Sequence, residues 1–392
     1  MMRQGLKSVT QISARGLVPQ RYYPLFLASV FVTSLLTAYL LLPPINEMDW
    51  VRTVQQVRNL WRGVNPYCDP YCEFHDFDPD LPVDDTYVSV KVYSPWVMFY
   101  LGVLAYASTR VILALSVALW IIIILDSGRP LTLILILHPA FLMLLASANS
   151  DFVTNGVGLW LILRGARGWR RGLALMLIAI KPQILPLLLL LEGARTLWER
   201  DWQAISVIAV LGGVSIALYP AWLLDTVPAL LGVTHGVSPE EKAGLGELFS
   251  YPFSIYGAWG FGRALAVTGV ILLLMARRLT EWRMLAVLLG FVWTPHLSLY
   301  NYALLLIFFR KAPSWRVIAY LTLSLASLPV AFREYHQHER YGVLLFLLLA
   351  AALTTADEEQ TEEAIASRYR QPIFPIARPF ARWLARWERC FA

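Results

Sequence analysis

Long apolar stretches follow one another along this chain of 392 residues, with short polar segments between them. Hydrophobic residues make up 57% of the sequence and charged residues only 15%, and the mean hydropathy of +0.54 lies above the range of soluble globular proteins. A helix needs about 20 apolar residues to cross a bilayer, so the shorter stretches are expected to extend into polar residues or to break inside the membrane. The sequence therefore predicts an all-α, polytopic membrane protein with about 10–12 transmembrane or re-entrant helices. The stretches lie at residues 24–42, 93–107, 111–125, 131–146, 152–163, 172–191, 203–223, 264–276, 284–309, 315–331 and 341–355.

The distribution of charge predicts the orientation in the membrane. The net charge is +6, but lysine and arginine occur in short clusters between apolar stretches, as in membrane proteins, and we predict no nucleic-acid partner. The first 23 residues contain basic side chains and no acid, which indicates a cytoplasmic N-terminus followed by an uncleaved first helix. Residues 43–92 contain nine acidic and four basic residues, and residues 224–250 contain four acids and one lysine, as expected for two outer loops.

The chain divides into a membrane domain and a tail. Residues 1–355 are predicted to form the transmembrane domain, which places the protein in the plasma membrane as an integral, multi-pass protein. Residues 356–392 are predicted to be a cytoplasmic tail with an amphipathic helix that lies on the anionic inner leaflet. The apolar side of that helix would consist of Phe380, Trp383, Leu384, Trp387 and Phe391.

Prolines are expected to interrupt three helices at membrane depth. Residues 133–151, with Pro139, are expected to dip in from the outer side and return to it, because the charge rule places the arginine cluster that follows inside. Residues 172–193, broken first at Lys181-Pro182 and again at the nearby Pro186, are expected to enter from the inner side and return to it. A third break is expected at Pro295. Broken backbone at this depth is tolerated where protein or a watery cavity satisfies its polar groups, so the breaks predict one shared cavity.

An acidic residue follows the first apolar stretch at once, in "INEMDWVRTVQQVRNLWRGVNPY" (residues 45–67). A helix from residue 47 would have one apolar stripe and an opposite polar sector that contains Asp49 and Arg52, and it would lie on the outer leaflet. The alternative is that Asn46 caps this helix and Asp49 is a first-turn acid at the positive end of its dipole.

Several segments, taken in order, resemble glycosyltransferase family 87. They are the acid after the first helix, "LWRGVNPY" (60–67), "VYSPWVMFYLGVL" (92–104), "ASANSDFVTNGVGLWLILRG" (146–165), "LIAIKPQILPLLLLLEGARTLWERDW" (177–202) and "WTPHLSLYNYALLLIFF" (293–309). The resemblance covers residues 40–310. Members of this family are integral-membrane mannosyltransferases of the GT-C superfamily that depend on polyprenyl-phosphate sugars, and the resemblance implies that fold, with an outer juxtamembrane loop.

The resemblance also implies a reaction. A sugar, expected to be mannose, would pass with inversion from a polyprenyl-phosphate carrier to a hydroxyl of a lipid-linked or surface glycan at the outer face. Asp49 matches the family's first-loop acid and would be the general base, since a hydroxyl is a poor nucleophile near neutral pH. The leaving phosphate needs cations or donors, for which Lys181, His296 and Arg52 are the candidates. Substrate-binding candidates are Asn149, Asp151, Gln183, Tyr300, Asn301 and Tyr93.

Other roles stay open for some of these residues. Lys181 lies inside an apolar stretch and is either functional or paired within the protein; His296 is either a phosphate ligand or structural. Asp151 is expected to cap the helix that starts near residue 152. Two other functions stay open: a transporter or flippase of lipid-linked sugars, since broken helices also mark transport sites, and a noncatalytic GT-C relative. No metal or cofactor is predicted.

Overall fold

The computed structural model of the chain describes part of the sequence. Asp49, Arg52, Tyr93, Gln183 and His296 lie outside the described residues, as do the tail and, apart from Leu60 and Leu224, both predicted outer loops. The described residues are 22–42, 60, 109–127, 130–146, 149–182, 184–221, 224, 255–275, 281–294, 297, 299–312, 314–327 and 338–354.

The described residues are mostly helical, and none of them lies in a β-strand, which confirms the all-α prediction. In the described part of the chain, two 3₁₀ segments and one π turn interrupt the series of α-helices, and the helix Ile255–Leu274 is kinked at Gly260, where φ is 77°. The elements are α1 (Tyr23–Leu41), α2 (Thr109–Ser127), the first 3₁₀ segment (Pro130–Leu137), α3 (Pro139–Ala146), the π turn (Phe152–Gly156), α4 (Val157–Leu163), α5 (Trp169–Ile178), α6 (Pro186–Trp198), α7 (Trp202–Leu218), α8 (Ile255–Leu274), α9 (Trp282–Trp293), the second 3₁₀ segment (Leu299–Lys311), α10 (Ser314–Ala326) and α11 (His338–Thr354).

Helices break at each of the three places that the prolines predict. The first 3₁₀ segment ends just before Pro139, α5 ends before Lys181-Pro182, and α9 ends before Pro295. A proline has no amide N–H to donate and a fixed φ, so it starts a helix readily but cannot continue one. Local backbone chemistry therefore sets these boundaries.

Ion pairs and hydrogen bonds show in which direction the first helices run. The Tyr23 hydroxyl, at the start of α1, donates to the carbonyl of Leu125 near the end of α2 (3.3 Å), and the two helices pack side by side, so they are antiparallel. Asp126 pairs with Arg164, just beyond α4, at 3.1 Å. The start of α1 and the ends of α2 and α4 therefore lie at the same end of the helix bundle.

The two helices α5 and α6 form a hairpin that returns to this end. Arg171, in the first turn of α5, donates to Glu199, just beyond α6, at 2.6 Å. Arg283, in the first turn of α9, donates to Glu192 in α6 at 2.6 Å. The return of residues 172–193 to their starting side is thus as expected. We call this end, defined by Asp126, Arg164, Arg171, Glu199 and Arg283, the arginine-rich end.

The segment before Asp151 does not dip and return, so that expectation is wrong. The described part of this segment starts at Pro130, soon after the end of α2. The Thr132 hydroxyl donates to the carbonyl of Phe309 (3.4 Å), which lies close to the end of the second 3₁₀ segment. The segment then reaches Asp151. The π turn and α4 together separate Asp151 from Arg164, so these two residues lie at opposite ends of one helical stretch. The segment therefore crosses from the arginine-rich end to the opposite end. The reason is that α1 and α2 are antiparallel, so that α2 ends, and the segment begins, at the end of the bundle where α1 starts.

Much apolar surface remains exposed on the described helices. One of these, α1, is long and apolar enough to cross a membrane by length and composition, whereas the other apolar helices are shorter. Helix α7 buries only Ala204 and Ser215, although it is apolar on all sides. Helices that are hydrophobic all around are typical of a protein core or of a membrane.

Gly172 allows α5 and α7 to approach closely, which gives the first prediction. An added Cβ would lie 2.6 Å from the carbonyl oxygen of Ala204 and 2.8 Å from the Cβ of Val207. Because helix backbone cannot easily retreat, Gly172→Ala is expected to lower the free energy of unfolding by about 1–3 kcal/mol. Chemical unfolding of the purified protein in detergent measures this. The control is Gly212→Ala in α7, where nothing lies within 4 Å and helix propensity predicts a gain; equal effects would contradict the close approach.

Candidate functional site

Four of the predicted substrate residues meet in one buried group at the end opposite the arginine-rich end. The Asn301 amide donates to Oδ2 of Asp151 at 2.8 Å, and the Lys181 ammonium forms an ion pair with Oδ1 of the same carboxylate. The Asp151 backbone N–H donates to Oδ1 of Asn149 at 2.8 Å. We call Asn149, Asp151, Lys181 and Asn301 the Asp151 cluster.

Each part of the Asp151 cluster sits where a helix is interrupted. Asp151 precedes the π turn, Lys181 follows α5, and Asn301 lies in the second 3₁₀ segment after α9. Asp151 is fully buried and Lys181 is 7% exposed. A buried charge is costly unless it is paired and hydrogen-bonded, and this carboxylate has both kinds of partner. The break at Lys181-Pro182 and the segment that follows the break at Pro295 thus meet the start of the π turn in one group of polar side chains.

Asp151 does not cap the helix that follows it, so that prediction is wrong. Its side chain accepts no hydrogen bond from the first turn. Both carboxylate oxygens point instead to Lys181 and Asn301. A bond to a buried ammonium is charge-assisted and stronger than one to a neutral backbone N–H, which explains the choice.

Lys181 is paired within the protein, which is one of the two roles that the sequence left open. The pair with Asp151 neutralises an ammonium that would otherwise be expensive in an apolar setting. Its contact with a donor phosphate stays a prediction. Tyr300, another predicted substrate residue, is partly buried and packs against the hydrophobic core beside Asn301.

Asn155 supports Lys181, and the sequence analysis missed it. Its amide donates to the backbone carbonyls of Ile178 (3.1 Å) and Lys181 (3.4 Å). These carbonyls lie at the end of α5, where Pro182 prevents the helix from continuing and supplies no donor. The only signal in the sequence is that a polar residue recurs within the apolar run after Asp151. Asn155 therefore holds the broken backbone that carries Lys181.

Removing the Asn155 amide gives a second prediction. Asn155→Leu keeps the approximate size but leaves two buried carbonyls without this donor, so the free energy of unfolding is expected to fall by about 1–3 kcal/mol. Thr154→Val is the matched control in the same π turn. The Thr154 hydroxyl has three alternative acceptors, the carbonyls of Ser150 and Asp151 and Oδ1 of Asn155. Because the Ser150 carbonyl already accepts the Thr154 N–H and the Asn155 amide keeps its own two acceptors, loss of the hydroxyl should cost about 1 kcal/mol or less. Denaturant titration of both variants checks this, and equal losses would contradict the role given to Asn155.

A second ion-pair network lies at the arginine-rich end; Arg171 and Glu192 are buried in it, whereas Glu199 is exposed. Arg171 donates to Glu199 at 2.6 Å and to Asp201 at 3.4 Å, and Arg283 donates to the fully buried Glu192 at 2.6 Å. We call these five residues the arginine clasp. Burial alone would raise the pKa of Glu199, but hydrogen bonds and charge from Arg171 and Arg195 lower that pKa below its usual value. The clasp joins α5, α6, α7 and α9 and serves as a scaffold, because its acids face arginines from within the protein.

His138 is a further buried polar residue that the sequence analysis did not single out. Its Nδ1 accepts from the N–H of Ala140 (3.1 Å), so the proton lies on Nε2, which faces the Ser324 hydroxyl at 3.1 Å. The ring stacks on Tyr320 with centroids 5.0 Å apart. His138 thus satisfies the backbone at the break before Pro139.

Comparisons of the chain with protein-family models, with curated proteins and with solved structures find no match. The resemblance to glycosyltransferase family 87 rests on the sequence segments quoted above. Any function must therefore be argued from the residues and their arrangement.

Proposed function

We propose that the chain is an integral-membrane glycosyltransferase of the GT-C type that uses a polyprenyl-phosphate sugar. The expected sugar is mannose, and the expected acceptor is a hydroxyl of a lipid-linked or surface glycan. One observation carries this proposal: three separate segments of the family resemblance meet in the Asp151 cluster. They contribute Asp151, Lys181 and Asn301, of which the first and last are 150 residues apart in the chain.

The arginine-rich end has the features of a cytoplasmic membrane interface. Tryptophan-arginine pairs stand in the first turns of α5, α9 and α10, and each guanidinium lies 5.3 to 5.4 Å from the centroid of the indole before it. Trp169 and Trp315 are exposed. Aromatic rings and excess basic residues at one end of apolar helices are typical of the inner membrane boundary. This supports a multi-pass protein with the Asp151 cluster towards the outer face.

This orientation brings the proposed reactive groups to one side. The loop that contains Asp49 is predicted to lie outside, which is the side of Lys181 in this arrangement. Asp49 would take the proton of the acceptor hydroxyl, whose oxygen forms a bond to the sugar's anomeric carbon. The bond to the phosphate oxygen breaks, and its electron pair stays on the phosphate, which Lys181, Arg52 and His296 would hold.

Direct assay tests this proposal. The protein in nanodiscs is mixed with a polyprenyl-phosphate carrier of radiolabelled mannose and with candidate glycolipid acceptors, and labelled product is separated and counted. Product is expected from the natural chain, and much less from Lys181→Met, which lacks the ammonium but keeps an unbranched side chain. Absence of product with every donor sugar and acceptor would contradict an enzyme of this kind.

The buried ion pair between interrupted helices also favours a second candidate, a transporter or flippase of lipid-linked sugars. Such breaks line midplane sites in transporters, where charged groups bind the substrate. In vesicles with a fluorescent lipid-linked sugar, a flippase would move the lipid between leaflets and form no glycoside. A noncatalytic relative would bind the lipid without either outcome.

A further inference from the structure

We infer that Asp151 is an internal substitute for the carrier phosphate: its carboxylate neutralises Lys181 while the site is empty, and a polyprenyl phosphate displaces it. The inference rests on the proposed function for the identity of the lipid. It adds a role for Asp151 as a competitor of the substrate anion. This role differs from the two that the sequence suggested for Asp151, helix capping and sugar binding.

The two partners of the ion pair differ in burial and in the length of the side chain that carries the charge. Asp151 is fully buried, its Oδ2 accepts from Asn301, and its backbone N–H donates to Asn149. Lys181 carries its ammonium on a flexible four-carbon stem and follows the end of α5. It is also the more exposed of the two. If the pair separates, we expect the ammonium to move while the carboxylate stays bonded to Asn301.

Exchange of one anion for another avoids an unpaired buried charge. A buried ammonium that loses its counterion is strongly destabilised, so Lys181 is expected to leave Asp151 only when another anion takes its place. The carrier phosphate is such an anion. Asp151 keeps a donor from Asn301 after the exchange, which lowers the cost on its side.

The same competition would help to release the spent carrier. The sugar-loaded carrier is a phosphodiester with a single negative charge, whereas the spent carrier is a monoester with a charge of about −1.5 to −2 near neutral pH. Electrostatics alone would therefore make the product bind Lys181 more tightly than the donor does. A carboxylate that competes for the ammonium limits this retention.

Binding of polyprenyl monophosphate to the protein in nanodiscs tests the inference. Asp151→Asn removes the competing anion with little change in shape, and we expect its Kd for the lipid to fall by about ten-fold or more, equivalent to about 1.4 kcal/mol. Lys181→Met is expected to raise the Kd by a similar factor. The double variant should bind as weakly as Lys181→Met, because the ammonium is the group that both changes act through.

Two further arms identify the ligand. Polyprenol without phosphate should bind all variants alike, and inorganic phosphate should displace the lipid only if the headgroup alone suffices for binding. If Asp151→Asn does not fold by itself, polyprenyl monophosphate is expected to restore its thermal stability, since the phosphate replaces the lost carboxylate. A folded Asp151→Asn with unchanged or weaker binding, or an unfolded one that the lipid does not rescue, would overturn the inference.

The outcomes separate this inference from the proposed function. Tighter binding by Asp151→Asn in a protein that forms no glycoside would keep the anion exchange and refute the transferase. Normal sugar transfer by the natural chain, together with no gain in binding by Asp151→Asn, would keep the transferase and refute the exchange.

Discussion

Asp49→Asn is expected to lower the rate of sugar transfer by about 10²- to 10⁴-fold, because asparagine cannot accept the proton of the acceptor hydroxyl. The change is nearly isosteric, so binding of the polyprenyl-phosphate donor should stay close to that of the natural chain. Initial rates at saturating donor and acceptor measure the effect on turnover. Donor binding, measured separately in nanodiscs, shows whether the site is still intact.

Glu47→Gln is the matched control for this prediction. It removes the same charge from the same predicted outer loop, two positions before Asp49, and should keep most of the activity. Equal losses in both variants would indicate a general effect of loop charge. Full activity of Asp49→Asn would show that the residue is only a first-turn acid of a helix, which is the alternative that the sequence leaves open.

Arg171→Met is expected to lower the free energy of unfolding by about 2–4 kcal/mol, because it removes two charge-assisted hydrogen bonds whose acids, Glu199 and Asp201, keep access to water. Methionine fills much of the space, but Glu199 loses its 2.6 Å partner and Asp201 its 3.4 Å partner. Glu192, whose Oε2 lies 4.0 Å from Nε of Arg171, loses one of its three nearby cations and keeps Arg195 and Arg283. Denaturant titration, with protease sensitivity as the signal for unfolding, measures the loss of stability.

The neighbouring residue provides the control for the clasp. Arg170 is exposed and stacks on Trp169, so Arg170→Met should cost about 1 kcal/mol or less. Because the pKa of Glu199 is lowered in the folded protein, the stability from this carboxylate is complete above its unfolded pKa. It is lost as the pH falls through the lower, folded pKa. A clasp that contributes nothing would give Arg171→Met and Arg170→Met the same stability at neutral pH.

The helix breaks were predictable from the sequence, whereas the direction of each segment was not. A proline changes the bonding of its own turn, so Pro139, Pro182 and Pro295 reveal their effect without knowledge of the fold. Whether residues 133–151 return or cross depends on how α1 packs on α2. That arrangement involves Tyr23 and Leu125, which lie 102 positions apart, and no local pattern encodes it.

The candidate site was predictable in part for the same reason. Lys181, Asp151 and Asn301 could be identified because polar residues are conspicuous in apolar stretches. Their pairing could not be identified, since a carboxylate before a helix is most simply interpreted as a cap. Glu192 and Arg283 were missed because each resembles an ordinary charge at the edge of an apolar stretch, and their 2.6 Å contact joins residues 91 positions apart.

The α5–α6 hairpin has a consequence for how the protein is made. Its helices have 10 and 13 residues, and neither reaches the about 20 residues that span a bilayer, so in a membrane they are expected to leave the translocon together. Asp151 is synthesised before Lys181, so the ammonium at the tip meets its counterion as soon as the hairpin inserts. Glu192 in α6 has Arg171 and Arg195 within 4.0 Å at that stage, but its 2.6 Å partner Arg283 is added 91 residues later. A nascent chain stalled between Glu192 and Arg283 should therefore contain a hairpin in which the ion pair of Lys181 with Asp151 has formed and the contact of Glu192 with Arg283 is still missing.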